Sequence, residues 1–202
     1  MKLYAYRLCP FSRRARIALA EKDIAFEYVE LEPTAPHPKE LAGKTPSSRG
    51  VPILVVRDDL VLFDSTAIVR WLDGAYPRSL TPGALDQIAI ADCWAGWATS
   101  KLYPLLKPLQ ESDEAKKDEA KKKLVEALRG AEAVFPADGW MVASMFSRAE
   151  IAMAPALAIL PPDVIAQLPK KVRAYVERLR ARPSVREVCE LDSLESRASW
   201  AA

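Results

Sequence analysis

Residues 3–22 read LYAYRLCPFSRRARIALAEK, and the change of rhythm inside this stretch decides how the chain begins to fold. KLYAY, residues 2–6, is a short strand signal, whereas FSRRARIALAEK turns Ile17 and Leu19 to Ala20 to one side as a helix does. Between the two lie Cys9 and Pro10. Proline suits the first position of a helix, where its missing N–H costs nothing. Cys9 is therefore expected at the strand-to-helix turn, where unpaired backbone N–H groups and the helix dipole favour negative charge. Arg13, Arg14 and Arg16 add positive potential, with most of their charge expected in solvent. Such surroundings favour the thiolate, the nucleophilic form of cysteine. A packing cysteine would sit among apolar neighbours instead.

Further along, AFEYVEL alternates like a half-buried strand, and EPTAPHPKELAGKTPSSRG has room for at most a short helix among its four prolines. VPILVV reads as a buried strand, DD as a turn and LVLF as the returning strand, followed by the helix DSTAIVRWLDGAY with Ile68, Val69, Trp71 and Leu72 inward. Strand signals stop at YPRSLTPG, which marks the domain boundary. The expected division is 1–77, an α/β domain, 84–190, an all-helical domain, and 191–202, a poorly ordered tail. In the helical part, 84–109 forms one long helix, kinked or ended near Pro104 and Pro108. Ser112 caps a charged helix that buries Leu124, Leu128 and Ala131. SRAEIAMAPALAIL is the apolar core helix, and PKKVRAYVERLRARP is amphipathic and stops at Pro183.

Composition narrows the function. The chain has 202 residues, half of them apolar, and 29 basic against 27 acidic residues. That balance gives no electrostatic case for direct nucleic-acid binding or for an anionic membrane. No apolar run reaches the roughly 20 residues of a membrane span, and Arg7 and Pro10 break up the N-terminus as a signal peptide. Cys9, Cys93 and Cys189 are too widely spaced for a disulfide framework or a zinc motif, which points to a reducing cytoplasm. Cys93 and Cys189 read as packing residues. The single histidine, His37, reads as an ordinary loop residue, so neither a histidine triad nor a metal site is expected. The mixed charges of DEAKKDEAKKK read as a solvated helix face.

Three more features carry local meaning. Pro52 opens a buried strand, the place where a missing N–H is tolerated. Asp64 and Ser65 precede a helix, as a cap and as a start able to hold a carboxylate. Ser147 and Glu150 have the S-x-x-E spacing of a capping box, a structural role.

CPFS before a helix resembles the redox motif of glutaredoxins, with Ser12 where dithiol members carry a second cysteine. Together with GVP, DS and the helical second half, residues 1 to about 185 resemble a cytosolic glutathione S-transferase, with an omega-like cysteine motif. YVERLRARPSV and the compact helical domain are similar to stringent starvation protein A and its relatives, partners of RNA polymerase. The resemblance implies a thioredoxin-like N-terminal domain, an all-helical C-terminal domain and a homodimer. It implies glutathione as co-substrate and no metal, with Phe11, Val51, Pro52, Asp64 and Ser65 at the glutathione site. Pro52 would be cis. Cys9 would be the catalytic group with Ser12 as the competing candidate, acting on a small-molecule or protein thiol or disulfide, and Tyr103 would line the second-substrate pocket. The alternative it implies is a non-catalytic regulator bound to RNA polymerase.

Overall fold

The computed structural model describes residues 1–46 and 50–191, and the chain divides into two compact units between Ser79 and Leu80. In the first unit the order is β1 (Lys2–Ala5), α1 (Pro10–Glu21), β2 (Glu27–Glu30), β3 (Ile53–Arg57), β4 (Leu60–Phe63) and α2 (Ser65–Ala75). The strands form one sheet in the order β2-β1-β3-β4, with β1 parallel to β2 and antiparallel to β3, and β3 antiparallel to β4. This is the thioredoxin-like arrangement the sequence predicts.

Alternation along the strands gives the sheet two buried faces. Tyr4 and Ile53 pack with Leu41 on one, joined by Val29, Leu31, Val55 and Val61. Leu3, Ala5 and Leu54 point the other way and are fully buried. The Tyr4 hydroxyl donates to Glu40 Oε1 at 2.5 Å and so ties the loop after β2 to the first strand.

Two bonds set α1 against α2. Arg14 Nη1 donates to Thr66 Oγ1 at 3.0 Å in the first turn of α2. At the other end, Lys22 Nζ donates to the carbonyls of Tyr76, Pro77 and Arg78 at 3.1, 3.1 and 2.9 Å and pairs with Asp73 at 3.0 Å. The helices are thus parallel, start beside start and end beside end. The expected solvation of the arginines is corrected here: Arg13 and Arg14 are buried, Arg14 through its bond to Thr66 in α2. Arg16 lies over the Tyr28 ring, 5.0 Å from its centre. Ala20 and Trp71 are half-buried rather than core residues.

The second unit is helical: α3 (Leu85–Trp97), α4 (Glu114–Gly130), α5 (Arg148–Leu157), α6 (Pro162–Ala166), α7 (Lys170–Ala181) and α8 (Pro183–Cys189). After Trp97 the long helix widens into one π turn, Ala98–Leu102, then tightens into 3₁₀ turns at Tyr103–Leu105 and Pro108–Gln110. Pro104 and Pro108 lack the N–H that a regular helix would need there. The cap of α4 is Asp113, not Ser112; its carboxylate accepts from Lys116 N–H at 3.2 Å. Ala131 lies just past the helix end and is half-buried, while Ala120 and Val125 join Leu124 and Leu128 inside.

Every residue of α5 is buried, and Glu150 is its polar anchor. Its carboxylate accepts from Ser147 N–H and Oγ–H at 2.9 and 2.8 Å, from Met141 N–H at 2.7 Å and from the Tyr175 hydroxyl at 3.0 Å. The expected capping box is present. The expected tail beyond Leu191 lies outside the described residues. Among those described, no helix is long and apolar enough to cross a membrane.

Two outcomes follow. Lys22→Met should lower the unfolding free energy, read by urea titration, by about 3 kcal/mol, because it takes a buried ammonium group away from three carbonyls and from Asp73. In alkali the decisive groups are Tyr4 and Tyr175. Burial and an adjacent glutamate (Glu40 and Glu150) hold both phenols above their ordinary value. The unfolded chain releases these protons first, so their contribution is intact below about pH 10 and falls away above it. Thermal melts from pH 8 to 11 should show this decline, shallower in Tyr4→Phe.

Candidate functional site

Strand register gathers the sequence-predicted residues of the first unit at one end of the sheet. Tyr4 in β1 stands opposite Ile53 in β3, and Ile53 opposite Phe63 in β4. The residues beyond those partners share that edge: the turn leading from β1 to Cys9, the Val51–Pro52 entry to β3, and Asp64–Ser65 after β4. The parallel clamp of α1 and α2 brings their two N-termini to the same edge.

Cys9 is the N-cap of α1 in extended backbone geometry, with Pro10 in the first turn. Its main chain is committed at both ends: its N–H donates to Tyr6 C=O at 3.2 Å, and its C=O accepts from Arg13 N–H at 2.9 Å. Its side chain makes no capping bond and is half-buried, with no disulfide. Phe11 beside it is half-buried too. Ser12 is different. It is fully buried, and its Oγ accepts from Tyr6 N–H at 3.3 Å. This hydroxyl braces the turn that presents Cys9.

The Val51–Pro52 peptide is cis. Pro52 is buried and Val51 half-buried, just ahead of the first ladder residue, Ile53. Asp64 caps α2: its Oδ1 accepts from Thr66 and Ala67 N–H at 2.8 and 3.0 Å. It does so at φ 75°, a conformation side-chain-bearing residues seldom adopt. Two N–H groups that could have met an anion are therefore taken by Asp64. Ser65 is buried, and its Oγ has no hydrogen-bond partner among the described residues. A buried hydroxyl without a partner is costly, so this atom fits a group that accepts or donates a hydrogen bond from outside the fold.

Tyr103 lies in the second unit, buried, with its hydroxyl donating to Ala152 C=O at 2.7 Å. Cys189 is buried as expected, but Cys93 is exposed rather than packed, because it lies on the outer side of α3. His37 is half-buried, and its ring nitrogens have no hydrogen-bond partner among the described residues. Among the described residues no cluster of three or more His, Cys, Asp or Glu could hold a metal ion. Sequence reasoning missed Arg14, Thr66 and Lys22, the residues that align the two helices; nothing in their local pattern sets them apart from surface residues of an amphipathic helix.

Comparison with known proteins matches residues 3–80 to the glutathione S-transferase N-terminal domain and residues 86–183 to the glutathione S-transferase C-terminal domain. The stringent starvation protein A homolog of Haemophilus influenzae is 29% identical over 196 residues, 91% of this chain and 87% of that protein. Glutathione S-transferase 4 of Zea mays is 28% identical over 209 residues, 94% of this chain and 92% of that protein. Among solved structures, a glutathione S-transferase from Rhodospirillum rubrum F11 matches with a TM-score of 0.76 and 25% identity, covering 93% of this chain and 90% of that one.

Removing the Asp64 carboxylate should cost the fold directly. Asp64→Ala should lower stability by about 1–2 kcal/mol, whereas Asp64→Asn, which keeps the acceptor, should lose only a few tenths. Paired urea titrations read the difference.

Proposed function

Since the chain belongs to the glutathione S-transferase family, whose members use glutathione as co-substrate, we propose that it carries out glutathione-dependent thiol transfer with Cys9 as the nucleophile. The observation that carries this reading is the register Tyr4–Ile53–Phe63, which brings Cys9, Val51 and Ser65 to one edge of the sheet. In this reading the main chain of Val51 pairs with the cysteinyl residue of glutathione beside Pro52. The Ser65 hydroxyl donates to the γ-glutamyl carboxylate. Asp64, whose Oδ1 is spent on the cap, offers its other oxygen to the γ-glutamyl ammonium group. Phe11 packs alongside.

The reaction has two displacements. The Cys9 thiolate attacks the glutathionyl sulfur of a mixed disulfide. A Cys9–glutathione disulfide forms, and the substrate leaves as its thiolate. The thiolate of a second glutathione then attacks this adduct, releasing oxidised glutathione and the Cys9 thiolate. Ser12 cannot resolve the adduct, having no sulfur, and its buried position supports a bracing role over a nucleophilic one. The family's proteins commonly form dimers, and this chain would work as a homodimer.

The likeness to the Haemophilus protein over 91% of the chain favours a second reading. In that reading the chain is a binding protein, with RNA polymerase as the partner, that keeps the fold without turnover.

Calorimetry with glutathione and peptide mapping after incubation with oxidised glutathione separate the two. The wild type should bind saturably and carry one adduct on Cys9. Cys9→Ser should lose the adduct, and Ser12→Ala should keep it while losing about 1 kcal/mol of stability. Neither binding nor an adduct at millimolar concentrations would overturn the enzyme reading. An adduct confined to exposed Cys93 would do so equally.

A further inference from the structure

The long stretch between β2 and β3 carries one short helical turn among its described residues, Lys39–Leu41. A 3₁₀ turn of three residues does not hold its place by its own hydrogen bonds, and no side chain caps its start. Leu41 and Glu40 fix it from two sides. Leu41 is buried against Tyr4 and Ile53, and Glu40 Oε1 accepts from the Tyr4 hydroxyl. At 2.5 Å this bond has the length of a phenol donating to a carboxylate, a bond about twice as strong as a neutral one. Burial, with Glu40 beside it, holds the phenol above its ordinary value, so the donor keeps its proton throughout the neutral range. Glu40 itself is exposed. An exposed carboxylate gives up rotamer freedom to stay on one partner.

We propose that the Tyr4–Glu40 bond is a latch that positions the Val51 main chain for glutathione. Tyr4 stands opposite Ile53 in the ladder, and Ile53 directly follows the cis Val51–Pro52 peptide. Leu41 packs on both side chains. The latch holds Leu41 down, Leu41 holds Ile53, and Ile53 sets where the Val51 main chain stands. A misplacement of about 1 Å is enough to spoil a site of this kind. Cys9 has separate supports: its N–H and C=O bond to Tyr6 and Arg13, and Ser12 Oγ accepts from Tyr6 N–H. Glutathione affinity and thiol reactivity are thus held by different bonds, and the latch governs the first alone. Tyr4 and Glu40 are positioning residues. The inference rests on the reading that Val51 pairs with glutathione, and adds the residues that keep it in place.

Three measurements on the full chain test it: glutathione titration by calorimetry, the rate of Cys9 alkylation by iodoacetamide read by peptide mapping, and amide hydrogen exchange. Glu40→Ala, at an exposed position that leaves the unit folded by circular dichroism, should weaken glutathione binding about five- to tenfold. Tyr4→Phe should weaken it by the same factor, and the double variant no further, because both remove one bond. Glu40→Gln keeps a neutral acceptor and should lose only about twofold. Alkylation of Cys9 should stay within about twofold of wild type in every variant. The amides of Leu41, Ala42 and Lys44, bonded to the carbonyls of Pro38, Lys39 and Leu41, should exchange faster in Glu40→Ala and Tyr4→Phe. Unchanged binding in Glu40→Ala overturns the latch whatever the exchange shows. Affinity and alkylation falling together overturn it too, as damage to the unit as a whole, and so does Glu40→Gln binding no better than Glu40→Ala. A wild type that binds no glutathione overturns the functional reading and the latch with it, so the wild-type titration alone shows which has failed.

Discussion

The parallel clamp of α1 on α2 is the constraint on which the first unit depends. Each helix follows a strand, and β1 and β4 run the same way because each is antiparallel to β3. Both helices must therefore start at the same edge of the sheet. Topology alone leaves their sliding and tilt open. Arg14 on Thr66 fixes the start, and Lys22 fixes the end by filling the carbonyl-rich C-terminus of α2 with an ammonium group. A buried lysine is tolerated when its charge is met, and three carbonyls and Asp73 meet it here. The clamp gives the unit two helix N-termini side by side, one carrying Cys9 and the other Ser65.

The second unit solves the same problem of buried charge with the opposite sign. Glu150 is fully buried, yet four donors converge on its two oxygens. They come from the turn before α5, from the irregular segment at Met141 and from α7. One carboxylate thereby fixes the start of the apolar helix and holds two distant segments to it. Around it, Trp94, Phe135, Tyr175, Trp140 and Phe146 meet edge to face in sequence, with ring centres 5.0–6.1 Å apart. Such contacts fix orientation as well as burying area. The polar node gives α5 its register, and Trp94, at the head of the ring chain, packs beside Ala149 of that helix.

What was legible in the sequence has, for the most part, a local cause, the α4 cap at Asp113 instead of Ser112 being the exception. The switch of period at Cys9-Pro10, the turn at Asp58–Asp59, the cap at Asp64, the box at Ser147 and Glu150 and the prolines after Trp97 each act within a few residues, and each was found. Side chains acting across the chain were not. Nothing in SRRARIALAEK says that Arg13 and Arg14 turn inward while Glu21 stays half-exposed, or that Lys22 reaches more than fifty residues ahead. The same limit applied to Cys93. An apolar helix does not announce which of its sides its own fold will cover. At the site, the individual residues were legible, but their common edge depends on strand register.

The two functional readings divide on what the fold needs for itself. Pro52 opens a strand, Asp64 holds two N–H groups, Ser12 holds a third, and Ser147 with Glu150 starts a helix; a binding protein of this fold needs all of them. Two side chains do no such work. The Cys9 sulfur makes no capping bond although it occupies a capping position, where serine or aspartate would stabilise the helix better. The Ser65 hydroxyl is buried without a partner among the described residues, where alanine would avoid the cost of desolvation, about 1–3 kcal/mol. Structure alone would select against both, and both lie at the edge to which the clamp brings the helix starts. In the proposed function these two groups are the ones a thiol peptide would use, Ser65 as donor to its carboxylate and Cys9 as nucleophile toward its sulfur. The case for glutathione chemistry rests on these two atoms rather than on the fold that carries them.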